Sequence, residues 1–227
     1  MTTVAVMQPY FMPYLGYYRL LQQADIFVAF DCVQFPRRGW VHRNRLHGGN
    51  GELAWLTLPI RPGPRSIAID ELVFDDRSEG WWDAAVRRFP ALRSPGAQAA
   101  MELAGDVRPG GRAADYLVDQ LVRMRDLLGL EASVLRSSDF GLPAELRGEV
   151  RIVEICRRLT ADRYVNAPGG RALYDPARFE AAGIELSFLP DWSGSYASTL
   201  ERLAIEPVQT LREELALNAG RYGGDDA

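Results

Sequence analysis

The chain opens on a short apolar run, Thr3-Val4-Ala5-Val6-Met7, and a second, Ile26-Phe27-Val28-Ala29-Phe30, follows after room for one helix. Both are short and rich in β-branched or aromatic residues, so both read as buried strands. Between them Tyr17, Leu20, Leu21 and Ala24 recur at helical spacing, after a segment punctuated by Pro9, Pro13 and Gly16. Residues 53–60, 66–74, 132–135, 163–165 and 184–189 predict further strands. Helices are expected over residues 81–89, 90–106, 111–128, 145–159, 175–182 and 206–217. Strands alternating with helices at this spacing predict an α/β fold: a mainly parallel, Rossmann-like sheet flanked by helices. One domain is expected over residues 1–217, with a polar, Gly-rich flexible tail over 218–227.

Residues 31–45 interrupt the α/β pattern. Val33, Phe35, Trp40 and Val41 alternate around Pro36-Arg37-Arg38-Gly39, which predicts a β-hairpin inserted around residues 31–60. If Phe35 pairs with Gly39, Cys32 lies opposite His42 with Cβ atoms about 5 Å apart. A slip of one residue sets Cys32 against Arg43 and turns His42 to the other side. A thiol beside an imidazole makes a nucleophile, because the base takes the proton that the thiol loses. Cys32, His42 and Asp31 are therefore the candidate catalytic set, although a regular strand turns Asp31 away from Cys32. Gln34 and Asn44 are candidates to orient the imidazole or to bind substrate. Arg43 is the best placed of a basic group formed with Arg37, Arg38 and Arg45 to hold a phosphate. The competing structural reading makes Cys32 a core filler, Gln34 and Asn44 hairpin hydrogen-bonders and the arginines a solvated tip. Cys156, within an apolar helical pattern, reads as core.

Composition narrows the chemistry. Every one of the 26 basic side chains is arginine. Schiff bases to lysine, a Walker-type phosphate lysine and a lysine base are thereby excluded, and anions must be met by guanidinium groups or backbone amides. With two cysteines and two histidines there is no zinc-type spacing, so neither a metal nor another cofactor is called for. The net charge of −4 argues against a nucleic-acid partner, and no apolar run reaches the length of a membrane span. A cytoplasmic address is the expectation. Gln8, Tyr10, Tyr14 and Tyr17 follow the first strand, and Asn166, Gly169 and Gly170 follow a late one. Strand ends of an α/β sheet are where ligands bind, so these seven are candidate substrate-binding residues.

Residues Val6-Met7-Gln8-Pro9-Tyr10-Phe11-Met12-Pro13-Tyr14-Leu15-Gly16-Tyr17, Asp31-Cys32-Val33-Gln34-Phe35, Gly39-Trp40-Val41-His42-Arg43-Asn44-Arg45, Ser137-Ser138-Asp139 and Tyr164 to Gly170 together resemble the WbqC-like family. The resemblance implies a biosynthetic acyl or aminoacyl (glycyl-like) transferase, or a thioesterase, in O-antigen or natural-product biosynthesis. Its partner would be an acyl or aminoacyl thioester, on coenzyme or on a carrier protein, attacked here by Cys32. Tyr14-Leu15-Gly16-Tyr17 also occupies the place of the His-x-Gly-His signature of nucleotidylyltransferases, with tyrosines replacing both histidines. A nucleotide-dependent enzyme, nucleotidyl-transferring or amide-ligating, is thus the first alternative. A non-catalytic carrier-binding protein is the second.

Overall fold

The computed structural model describes residues 1–219. Of the predicted tail, residues 220–227 lie outside the described residues. Five strands form a parallel sheet: β1 (Thr3–Met7), β2 (Ile26–Ala29), β5 (Ser133–Arg136), β6 (Arg163–Asn166) and β7 (Glu185–Phe188). A separate antiparallel hairpin is made by β3 (Arg43–His47) and β4 (Leu53–Thr57). The helices are α1 (Arg19–Gln23), α2 (Trp81–Arg88), α3 (Ala97–Ala104), α4 (Ala113–Leu128), α5 (Gly148–Arg158), α6 (Pro176–Ala181), α7 (Thr199–Ile205) and α8 (Val208–Leu217).

Alternation along the strands explains why both faces of the sheet are covered. Val4, Val6 and Val28 pack with Ile152, Ile155 and Phe179 from α5 and α6. Ala5, Phe27 and Ala29 point the other way, into the larger core with Leu20, Leu117 and Leu211. Each fully buried Leu, Val or Phe of this kind contributes about 1.5–3 kcal/mol, and a sheet buried on both faces is the setting for parallel strands.

The sheet order is β5-β2-β1-β6-β7. Counted by their place in the chain, its strands run 3-2-1-4-5, the Rossmann order. The chain builds outward from β1 through β2 to β5, then crosses back to lay β6 on the other side of β1.

The hairpin differs from its predicted form. Val33 to Phe35 do not pair with residues 39–42; Gln34 bridges Ala68, the Phe35 amide donates to Ile67 O, and the Ile69 amide donates to Val33 O. Pro36 and Gly39 close only a local turn, with the Gly39 amide on Pro36 O at 2.8 Å. The strand that pairs begins at Arg43, where Asn44 and Leu46 bury one face and Arg43, Arg45 and His47 form the other. Residues 66–74 are not a strand but bridges around a 3-10 turn at Ile69–Glu71. Helix α7 falls where no helix was predicted; Ser198 caps it, its hydroxyl accepting from the Leu200 amide.

Candidate functional site

Where strand order reverses in a parallel sheet, a crevice opens beyond the carboxyl ends of the two flanking strands. Here those strands are β1 and β6, and a cavity of about 470 Å³ lies at their ends. All seven residues expected there line it: Gln8, Tyr10, Tyr14 and Tyr17 from the β1 side, Asn166, Gly169 and Gly170 from the β6 side. The Tyr17 hydroxyl donates to Gln8 O at 2.8 Å, and its ring lies 5.4 Å from that of Tyr10. Tyr14 stands between Trp192 at 6.3 Å and Tyr196 at 5.0 Å. Gly16 permits this crowding, since a Cβ there would sit 2.7 Å from Trp192 Cδ2.

The loop carrying these tyrosines is held from three directions. Met12 has φ 42°, a left-handed conformation that a non-glycine residue rarely adopts. Its amide donates to Gln120 Oε1 at 2.9 Å, and its carbonyl accepts from Asn44 Nδ2 at 2.6 Å and Ser198 Oγ at 2.7 Å. Such over-determination is what sustains a strained residue, and it fixes where Tyr10 and Tyr14 stand.

One cation faces this cavity from a buried position. Arg19, 3% exposed, donates from Nη1 to Pro190 O at 2.8 Å and lies 5.8 Å from the Trp192 ring. Among the described residues no carboxylate pairs with it. Burial lowers its pKa from the ordinary arginine value. Burial likewise raises Tyr10 and Tyr14, so both phenols stay neutral and able to donate. The Gly-rich turn offers less to an anion than its sequence suggests: the Gly170 amide is held by Ala167 O and the Ala167 amide by Asn166 Oδ1. Gly170 instead makes room for Asn166, whose Nδ2 would lie 2.7 Å from a Cβ at that position.

A second cavity, of about 410 Å³, adjoins the first across Tyr10, Tyr14 and Tyr196 and is closed by Trp40, Asn44 and Arg45 of the hairpin side. Asn44 reaches it as a structural clamp, with Nδ2 on Phe11 O and Met12 O and Oδ1 accepting from the Arg45 amide.

Asp31 and Cys32 lie elsewhere, beyond β2 and β5, His42 stands at the base of the β3–β4 hairpin, and the three are not assembled as a triad. Asp31 is fully buried and accepts from Arg136 Nε at 2.7 Å, the Ser138 amide at 2.9 Å, and the hydroxyls of Ser137 and Ser138 at 3.0 Å each. Cys32 Sγ lies 3.3 Å from Arg151 Nη1, which also donates to Cys32 O. His42 stacks edge-on against Phe35 at 4.8 Å, and its buried Nδ1 has no hydrogen-bond partner. Burial first, and Arg43 second, lower its pKa to about 4. The predicted Cys32–His42 cross-strand pair therefore does not form, because Cys32 precedes a segment paired with residues 67–69 while His42 O accepts from Leu58 at the base of the other hairpin. Arg43 donates to Gly39 O and Arg38 O and packs on Trp55 at 4.0 Å, and Gln34 donates to Arg65 O.

Sequence reading missed Arg19, Trp192, Tyr196, Arg136 and Arg151. Arg19 had a usable signal, a lone cation between Tyr18 and Leu20 in an apolar helical pattern. Trp192 and Tyr196 had none, because only the return of the chain past Tyr14 brings them to the crevice.

Fold and crevice together define an α/β protein with a cavity at the reversal of its sheet order. The profile of the WbqC-like protein family matches residues 8–200, and the chain belongs to that family. It is 28% identical over 203 residues, 86% of this chain and 84% of the other, to a Mycobacterium tuberculosis protein named "Uncharacterized protein Rv1507c". No solved structure matches the chain. Among the described residues no helix is long and apolar enough to cross a membrane, and no group of three or more His, Cys, Asp or Glu could hold a metal ion.

Proposed function

We propose that the chain is a nucleotide-dependent enzyme, nucleotidyl-transferring or amide-ligating, whose nucleotide phosphates occupy the crevice between β1 and β6. The observation that carries this reading is Arg19, a buried guanidinium without a carboxylate on the wall of a cavity at the reversal of strand order. A buried cation is costly unless an anion meets it, and a phosphate supplies that anion. The neutral Tyr14 phenol provides a second donor, and the aromatic walls offer a face for a base.

Amide ligation also accommodates the acyl or aminoacyl transfer that the family resemblance implies, without needing a thiol. A carboxylate oxygen attacks the α-phosphorus, and pyrophosphate leaves with the electrons of the broken P–O bond. An amine nitrogen then attacks the acyl carbon, the nucleoside monophosphate leaves with the C–O electrons, and the amine proton passes to solvent.

Thermal unfolding with each ribonucleoside triphosphate and Mg²⁺ tests the proposal. At least one nucleotide should raise Tm, and Arg19→Met should weaken its binding about tenfold or more, as expected for a charged hydrogen bond. The unliganded stability of that variant should stay within about 1 kcal/mol of wild type, because an apolar side chain replaces an unpaired buried charge. Absence of any nucleotide effect on the wild-type protein sinks the reading.

A thiol route, with Cys32 taking the acyl group from a coenzyme or carrier thioester, keeps one specific support. Cys32 is partly exposed and has the Arg151 guanidinium 3.3 Å from Sγ. An acyl adduct on Cys32 after exposure to acetyl-coenzyme A or malonyl-coenzyme A, seen by intact mass spectrometry and lost in Cys32→Ala, favours it. An unmodified Cys32 removes it.

A further inference from the structure

We infer that the cavity between the hairpin and the loop of residues 10–14 is the subsite for a second substrate, an anionic small molecule. Its flat or ring-shaped body lies against Trp40 and Tyr196, and its carboxylate or phosphate is held by Arg45. The idea rests on the reading of the crevice only for its neighbour; the ligand chemistry is argued from the hairpin itself.

Alternation along β3 and β4 decides which side chains face outward. Asn44, Leu46 and Leu56 are buried, whereas Arg43 and Arg45 project from the other face, with Arg45 directly opposite Trp55. These two arginines have different fates. Arg43 is saturated by the carbonyls of Gly39 and Arg38. Arg45 lies 5.4 Å from the Trp40 ring and 5.5 Å from the Trp55 ring, and among the described residues its guanidinium has no hydrogen bond and no carboxylate. Two indoles, 5.2 Å apart, thus hold a guanidinium fork in place with its donors free. A fork fixed before binding loses little freedom when an anion arrives.

Charge reinforces the point. Residues 33–68 carry six arginines and one acid, Glu52, in a chain whose net charge is −4. None of those six arginines pairs with a carboxylate among the described residues. The segment that carries Arg45 is therefore net positive in an acidic chain, and Arg45 is the one of the six that lines this cavity, which favours an anion there.

The cavity is also built to be rigid and to meet its neighbour. Asn44 ties β3 to Phe11 O and Met12 O, so hairpin and loop form one wall. Tyr10, Tyr14 and Tyr196 belong to both cavities, and two occupied sites would face each other across those rings. Holding two reactants in adjacent, fixed sites is how a two-substrate transfer gains rate.

The test uses fluorine NMR line broadening of 4-fluorobenzoate, 4-fluorophenyl phosphate and neutral 4-fluorobenzamide, with and without saturating nucleotide and Mg²⁺. At least one anion should bind while the amide does not, and the nucleotide should not displace it. Arg45→Met should weaken that binding about tenfold, with Arg45→Lys between it and wild type, as expected for loss of a charge-assisted fork. Arg19→Met should leave it unchanged. The carboxylate and phosphate arms tell which anion the subsite prefers. Failure of both anions to bind, equal binding of the amide, or dependence on Arg19 instead of Arg45 overturns the inference. Arg45-dependent anion binding in a protein that ignores every nucleotide would sink the crevice reading and leave this one standing.

Discussion

Two strand-end regions of one sheet handle their polar groups in opposite ways. Beyond β2 and β5, Asp31 accepts four hydrogen bonds from Arg136, Ser137 and Ser138, and the arginine reaches on to Asp115. Beyond β1 and β6, Arg19 has a single carbonyl, and the surrounding tyrosines line the crevice. A charge whose partners are all supplied by the protein is holding the fold together. One whose partner is missing, next to a cavity, points to a ligand. Asp31 thus belongs to the self-contained region, whereas Cys32 sits beside Arg151 and His42 keeps an unpartnered Nδ1, and the seven strand-end candidates after β1 and β6 belong to the open one.

The largest effect expected from breaking this contrast is at Asp31. Asp31→Ala leaves two serine hydroxyls and the Ser138 amide without their acceptor and Arg136 with Asp115 alone, so stability should fall by about 3 kcal/mol in urea denaturation. A loss below about 1 kcal/mol would mean that the β2–β5 knot is not structural. Next is Gly16→Ala. Its new methyl group meets Trp192 at the mouth of the crevice, and overpacking of this kind costs about 1–3 kcal/mol. Nucleotide binding should weaken in the same variant; unaltered binding would separate Trp192 from the site.

The smallest effect is one of pH. His42 titrates near 4 when folded, below the ordinary value of 6.5, so between those pH values the unfolded chain binds more protons than the folded one. Neutral His42 therefore contributes stability that is present above about pH 6.5 and is lost as pH falls toward 4. His42→Phe, which keeps a ring against Phe35, should flatten the acid limb of a stability–pH curve relative to wild type and leave the region above pH 7 nearly unchanged. Identical acid limbs would show that His42 is not held neutral by burial.

Much of the fold was legible along the chain because its signals are local. Val4, Val6 and Val28 alternate with Ala5, Phe27 and Ala29, and that period specifies a sheet buried on both faces without reference to any partner. The tyrosines after β1 and the Asn-Gly-Gly group after β6 were likewise marked as strand-end residues, and the same crevice receives both. What stayed hidden was pairing. Val33 to Phe35 carry an acceptable hairpin pattern with residues 40–41, yet they are joined to residues 67–69, more than thirty positions away. No local pattern distinguishes those partners, because any extended segment with free amides and carbonyls satisfies the ladder equally well.

The sequence by itself determined the α/β alternation, the strand-end residues of the crevice and the reliance on arginine for every positive charge. Tertiary structure alone decided that Cys32 meets Arg151 and not His42, that Asp31 is saturated, and that Arg19 and Arg45 stand without carboxylates beside two adjoining cavities. The physical reason is range. Side-chain periodicity acts over a few residues, whereas the satisfaction of a buried charge depends on which distant segments the folded sheet brings to its side.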